Sequence, residues 1–267
     1  MNRPSRPARV LATALAAGTL LGTAACSQDG GTPEAASVSP AAQRPTPSPT
    51  TALTGAGAKA ALITEADIED GWTQVNNAAT WRNELLVGKV DAAQFLSGKT
   101  RAAECQKLLD SLYSDTLLGR PKGASALTGF TAQDYRLLYQ VGDYEQAPLR
   151  QAMDWVKTLP QDCAQFSATA ADGSERTVQV IEAALPEGGD EQHGLTVRVQ
   201  GTADGQPTTL VLDVAAFRIG SAAATVTNGG PSGADHASTE RAVQQGAERL
   251  AGVLSGKTPT ANPSLFD

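Results

Sequence analysis

The clearest structural pattern in this chain begins at Leu195-Thr-Val-Arg-Val-Gln200, continues through Asp204-Gly205 and returns in Thr209-Leu-Val-Leu-Asp-Val-Ala-Ala-Phe-Arg-Ile219. The first segment alternates apolar and polar residues, as a strand with one buried face does. An Asp-Gly pair is typical of a tight hairpin turn. Ser221–Thr227 follows as a third candidate strand, so the region predicts an antiparallel meander.

Other strands and three helices are predicted on both sides of the meander. The helices are amphipathic, and we expect the second to end at Pro160 and the third to begin with Ser238 or Thr239 as its cap and to stop at Gly256. Upstream, Thr64 and Asp67 have the spacing of a capping box. The predicted strands are Trp72–Asn76, Ser125–Ala132, Tyr135–Val141 and Thr177–Ala183, and the predicted helices are Lys99–Ser114, Tyr144–Leu159 and Ser238–Leu254.

This order of elements predicts the fold class. Helices are concentrated early and late in the chain, with a run of strands between them. We therefore expect an α+β domain in which a central antiparallel β-sheet carries two or three amphipathic helices.

The N-terminus has the pattern of an export signal. Arg3, Arg6 and Arg9 precede the apolar run Val10–Leu21, and small residues then lead to Cys26. The run is well short of the ~20 residues that a transmembrane helix needs. We interpret residues 1–25 as a lipoprotein signal peptide and Cys26 as the lipidated residue that anchors the protein to the membrane. The alternative is an ordinary secretory signal that leaves Cys26 as a free thiol.

Composition changes sharply after Cys26. Residues 26–56 are dominated by Ala, Gly, Pro, Ser and Thr, which cannot bury enough apolar surface to offset ordering entropy. They predict a disordered tether, followed by one domain at 57–257 and a disordered tail at 258–267. We expect the domain on the extracytoplasmic face of the cell membrane, held by the lipid.

The net charge of the chain limits which classes of partner it can bind. Loss of the three signal arginines leaves 18 of the 21 basic residues against 28 acidic ones, a net charge of −10. A chain this acidic repels nucleic acid and anionic lipid, so we expect no nucleic-acid partner.

Cys105 and Cys163 are the two cysteines that remain. In an oxidising compartment two thiols most simply form one disulfide, here closing a loop of 58 residues. Cys105 falls on the apolar face of the first helix, and Cys163 follows the second. A redox-active or metal-bound pair is the alternative, which the absence of a Cys-x-x-Cys motif and the presence of only two histidines disfavour.

The order of these features resembles the PknH-like extracellular sensor domain, which occurs on actinobacterial kinases and on free-standing lipoproteins. The resemblance is carried by Ala61-Leu-Ile-Thr-Glu-Ala-Asp-Ile68 with Gly71-Trp72, by Glu104-Cys105, by Asp162-Cys163-Ala-Gln-Phe166 and by the meander. It implies an α+β domain with a ligand cleft. Members commonly have two disulfides, and this chain matches one.

Two apparent catalytic motifs are incomplete. Leu-Ser-Gly-Lys-Thr occurs at residues 96–100 and 254–258, but Ala93 and Ala251 replace the first glycine of a phosphate-binding loop. Ser232, Asp235 and His236 share one Gly/Pro/Ser loop and lack a nucleophile elbow. We interpret them as a flexible loop before the last helix.

The remaining polar and aromatic candidates have structural interpretations that we favour. His193 could sense pH beside Asp190 and Glu191, or be a solvated turn residue. Four clustered acids suit either a cation site or the first turn of a helix. The tryptophans suit a core better than a cleft. The acids are Glu65, Asp67, Glu69 and Asp70, and the tryptophans are Trp72, Trp81 and Trp155.

The sequence therefore predicts a non-catalytic, lipid-anchored sensor or ligand-binding module. It predicts no cofactor and no metal site, and it does not identify the ligand-binding residues. Its ligand would be a small molecule or lipid in an apolar pocket between sheet and helices. The alternative is an envelope protein-interaction or assembly factor with an apolar surface patch. A cell-wall hydrolase ranks third, since no facing pair of carboxylates can be identified.

Overall fold

The structure, a computed structural model, describes residues 52–68, 71–79, 86–87, 90–91, 103–170, 173–203, 205–230 and 233–259. Several predictions from the sequence lie outside these residues: the signal peptide, Cys26, most of the tether, Trp81, the first Leu-Ser-Gly-Lys-Thr copy, Ser232 and most of the tail. They stay predictions.

The described residues form one eight-stranded antiparallel sheet and four α-helices, so the predicted α+β class is confirmed. The strand order in the sheet is β1-β4-β5-β10-β9-β8-β7-β6, and β2 pairs separately with β3. The strands are β1 (Thr73–Gln74), β2 (Leu86–Val87), β3 (Val90–Asp91), β4 (Ser125–Ala132), β5 (Tyr135–Asp143), β6 (Gln165–Thr169), β7 (Glu175–Ala183), β8 (Glu191–Ala203), β9 (Gln206–Ile219) and β10 (Ala222–Gly230).

The predicted meander is confirmed and is longer than expected. Strands β8 and β9 pair from Glu191↔Arg218 to Ala203↔Gln206, so that two residues of the sequence connect them. Gly205 has a φ of +74°, a conformation that favours glycine. Strand β10 then pairs with β9 on one side and β5 on the other, which places the meander at the centre of the sheet.

The helices are α1 (Gly55–Ala60), α2 (Ala103–Tyr113), α3 (Gln146–Asp162) and α4 (His236–Leu254). The prediction that Pro160 ends α3 is wrong. Pro160 lies in the last turn, where its missing N–H removes a single helical bond, and the turn closes through Cys163 N–H to the Leu159 carbonyl at 2.8 Å. Strand β6, directly after this turn, was not predicted.

The predicted cap of α4 is also wrong. The cap is Asp235, whose carboxylate accepts hydrogen bonds from the Ser238 N–H at 3.4 Å and the Ser238 Oγ at 2.7 Å. Ser238 and Thr239 are buried in the first turn instead. At the other end, α4 stops before Gly256, which has a φ of +76°, as predicted.

Helices α2 and α3 cover one side of the sheet over β6–β9, which we call the disulfide face. Its core is mainly aliphatic, and Leu195, Val197 and Val199 of β8 belong to the same buried cluster as Leu149 and Met153 of α3. Cys105 and Cys163 are both 1% exposed and form a disulfide of 2.04 Å, so the predicted pair is confirmed. The bond joins α2 to the end of α3.

Helix α4 covers the opposite side over β9, β10 and Tyr139 of β5, and α1 lies over β4; we call this side the α4 face. Phe130, Tyr139 and Phe217 pack there against Val243 and Leu250 of α4. Because neighbouring residues of β9 alternate between the faces, Leu212 and Val214 belong to the disulfide face while Ala215 and Phe217 belong to the α4 face.

The α4 face also holds the N-terminal segment in place through polar contacts. The Asp67 carboxylate accepts hydrogen bonds from the N–H and Oγ1 of Thr64, at 2.7 and 2.8 Å, and from Arg249 of α4 at 3.1 Å. Leu53 is buried and Thr54 caps α1, so the folded part begins a few residues before the predicted boundary at 57.

Candidate functional site

A cleft of about 400 Å³ opens where α4 begins. Helix α4 starts at His236, above β9, and so leaves β8 and the end of β7 uncovered on this side. Strand β8 presents Thr196, Arg198 and Gln200 there, because its alternate residues fill the disulfide face. The lining residues are Ala183, Thr196, Arg198, Val211, Asp213, Gly233, Ala234 and His236.

Asp213 is the buried acid of the cleft. It interrupts the apolar run of β9 and is only 3% exposed. Its Oδ1 accepts a hydrogen bond from the Thr196 Oγ1 and its Oδ2 accepts one from the His236 Nδ1, both at 2.7 Å. A buried carboxylate needs such donors, so strand β8 and helix α4 together stabilise this one on β9.

His236 is the first residue of α4 rather than part of a flexible loop. Its Nε2 lies 3.6 Å from the Glu240 Oε1, one turn further along the helix. Partial burial lowers the pKa of His236, but the hydrogen bond and charge of Asp213, the charge of Glu240 and the Ala184 carbonyl together raise it above its ordinary value. The surroundings of His236 therefore favour the imidazolium form more than water does.

The beginning of α4 is fixed against the sheet by buried side chains. The Asn228 Nδ2 donates to the Asp235 carbonyl at 2.6 Å and to the Thr239 Oγ1 at 3.0 Å. Asn228 is the neighbour of Asp213 across β10 and β9. In the same turn, the Trp72 Nε1 donates to the Ser238 Oγ at 2.8 Å. The cleft therefore has a rigid wall, and His236 is held at its edge.

Of the three candidate hydrolase residues in one loop, Asp235 and His236 have different partners. Asp235 binds Ser238 as the helix cap, whereas His236 binds Asp213, and Ser232 lies outside the described residues. The predicted interpretation as a flexible loop is wrong for Asp235 and His236, because both belong to the ordered start of α4.

His193 lies in β8 and not in a turn. Its Nε2 donates to the Glu191 Oε1 at 3.1 Å, and the Arg218 Nε donates to the Glu191 Oε2 at 2.8 Å. Burial raises the pKa of Glu191, but the hydrogen bonds and charges of Arg218 and His193 lower it below its ordinary value overall. This ion cluster lies at the start of β8, on the disulfide face, away from the α4 cleft.

The other candidates have structural roles where they are described. Asp67 is a buried cap and ion-pair partner, and Glu65 accepts a hydrogen bond from the Gln74 N–H. Trp72 is buried in the core, as predicted, and Trp155 is partly buried beneath Lys107. Within the described ranges there is no cluster of three or more potential metal ligands and no helix long and apolar enough to cross a membrane.

The observed cleft differs from the apolar pocket that the sequence predicts between sheet and helices. That space is filled by the two cores, and the cleft lies beside the start of α4, lined equally by polar side chains and by small or aliphatic residues. No family model matches this chain, and no curated protein matches it either. The resemblance to PknH-like sensor domains therefore stays a prediction.

Proposed function

We propose that the protein is a lipid-anchored extracytoplasmic binding module whose ligand site is the cleft beside α4. The observation that carries this proposal is the cleft itself, a concavity whose lining includes a buried acid with both oxygens hydrogen-bonded and two basic side chains, Arg198 and His236. Pockets with a few fixed polar groups are the usual form of small-ligand sites. The lipidation pattern at Cys26 and the PknH-like resemblance support a sensor role.

The binding part of the proposal is tested by native mass spectrometry of the full chain purified from the cells that make it. We expect a bound small molecule that is released on denaturation. Ala183→Leu places extra volume in the cleft and should abolish the bound mass, while Ala147→Leu, an exposed alanine on α3, should keep it. A bound mass that is equal in both variants would contradict the site.

The anchoring part is tested separately by fractionation. Cys26→Ala should move the protein from the membrane fraction to the soluble fraction, because the lipid on this residue is the proposed attachment. A chain that stays with the membrane after this substitution would refute the anchor. Stable recovery of another protein, with no small molecule, would favour the interaction-factor alternative.

A further inference from the structure

Arg198 is the charged residue of the cleft that has the fewest partners. Arg136, Arg176 and Arg218, the other arginines of the large sheet, each have at least one hydrogen-bonding or charged partner. Arg198 has none within the part of the chain that the structure describes, and it extends from β8 into the cleft. The guanidinium is therefore available to a ligand.

Asp213, the one acid that lines the cleft among the described residues, is already occupied. Thr196 and His236 each use one of its oxygens, and no ion pair joins it to Arg198. The lining thus carries one negative charge against two positive ones while His236 is protonated. Glu240, which is not part of the lining, lies 3.6 Å from the His236 ring and offsets its charge, so Arg198 is the charge in the lining that has no partner among the described residues.

We infer that the cleft binds an oxyanion, a carboxylate or phosphate group, through the Arg198 guanidinium, with the His236 imidazolium as a second positive charge. The guanidinium fork matches both groups with paired N–H donors. The inference rests on the proposed function, because it names the ligand class of the same cleft. His236 contributes mainly through its charge, since its Nδ1 is engaged by Asp213.

Binding should depend on pH through His236. The charged groups next to the ring are Asp213 from β9 and Glu240 from its own helix, and Arg198 from β8 lines the same cleft. Asp213 and Glu240 favour the protonated ring, whose charge is lost as the pH rises through its raised pKa. Oxyanion affinity should therefore be highest at mildly acidic pH and fall at alkaline pH.

The test is an NMR titration of the full chain with inorganic phosphate and, separately, with acetate. The chain has only two histidines, so His236 reports on the cleft and His193, on the opposite face, controls for general effects of salt. We expect the His236 ring signals to shift saturably with at least one probe. Arg198→Gln should weaken the apparent affinity for that probe by about tenfold, whereas Arg150→Gln on the exposed side of α3 should not change it.

An equal response in wild type and Arg198→Gln, or no saturable response to either probe, would overturn the inference. The probe with the tighter binding distinguishes a phosphate from a carboxylate ligand. Failure here is distinguishable from failure of the proposed function: if Arg198→Gln retains the cell-derived ligand fully in native mass spectrometry while Ala183→Leu loses it, the cleft binds a ligand that is not recognised through Arg198.

Discussion

The two faces of the sheet are held together in different ways. On the disulfide face, aliphatic side chains of β7, β8 and β9 meet those of α2 and α3, and a covalent bond joins the two helices. On the α4 face, an apolar core is bordered by buried polar contacts: Asp67 with Arg249, Asn228 with Thr239, and Asp213 with His236.

This difference between the faces indicates which side of the sheet has room for a ligand while the core stays packed. Aliphatic packing is insensitive to pH and to small ligands, and it covers β6–β9 on its side of the sheet. On the other side, the sheet extends past the start of α4 and exposes polar residues next to fixed charges. One face supplies stability, and the other supplies a cleft whose charge depends on pH.

The largest predicted effect comes from removing the covalent bond of the disulfide face. The Cys105→Ala, Cys163→Ala double variant should lose roughly 4 kcal/mol of unfolding free energy, because the disulfide restricts a long loop in the unfolded chain. Urea unfolding measures the loss, and reduced wild type is the matched control. If the double variant still folds, the NMR signals of its His236 ring should match those of wild type, since they report on the α4 face. A shift in those signals would show that the two faces are coupled.

A smaller loss of unfolding free energy is expected when a polar contact of the α4 face is removed. Asp67→Ala removes the partner of Arg249 in a contact where the Asp67 side chain is 1% exposed, and should cost about 3 kcal/mol. Glu65→Ala, two residues earlier, removes an exposed side chain and should cost under about 1 kcal/mol. Urea unfolding of both variants is the measurement. Equal losses would mean that the Asp67–Arg249 pair does not hold the N-terminal segment.

The fold was largely predictable because its signals are local. The alternation in β8, the Asp-Gly turn and the amphipathic spacing of the helices are each visible within about fifteen residues. Strand β6 was missed because Gln165-Phe-Ser-Ala-Thr169 is short, has only two apolar residues and follows directly on α3. The disulfide was predictable because the predicted lipidation of Cys26 leaves Cys105 and Cys163, which both fall near apolar helix faces.

The cleft was not predictable in the same way, because its contacts join residues that are far apart in the sequence. Asp213 and His236 are 23 residues apart and meet only because β9, β10 and the start of α4 have a particular register. One signal was present: a lone acid in the apolar run Leu210–Phe217 requires a buried partner. Arg198, by contrast, looks like any polar residue of an alternating strand.

The smallest predicted effect concerns the contribution of His236 to stability. Its pKa is raised in the folded chain, so the contribution is fully present below the ordinary value of 6.5 and is lost as the pH rises through the folded value. It should stay under about 1 kcal/mol, because the side chain is 43% exposed and solvent screens the pair. Urea unfolding of wild type and His236→Gln at about pH 5.5 and about pH 8.5 measures it, since all other titrating groups cancel in the difference. Wild type should exceed the variant by more at the acidic pH. A difference that grows towards alkaline pH would mean that Asp213 favours the neutral ring, and the pH dependence assigned to the cleft would then be wrong.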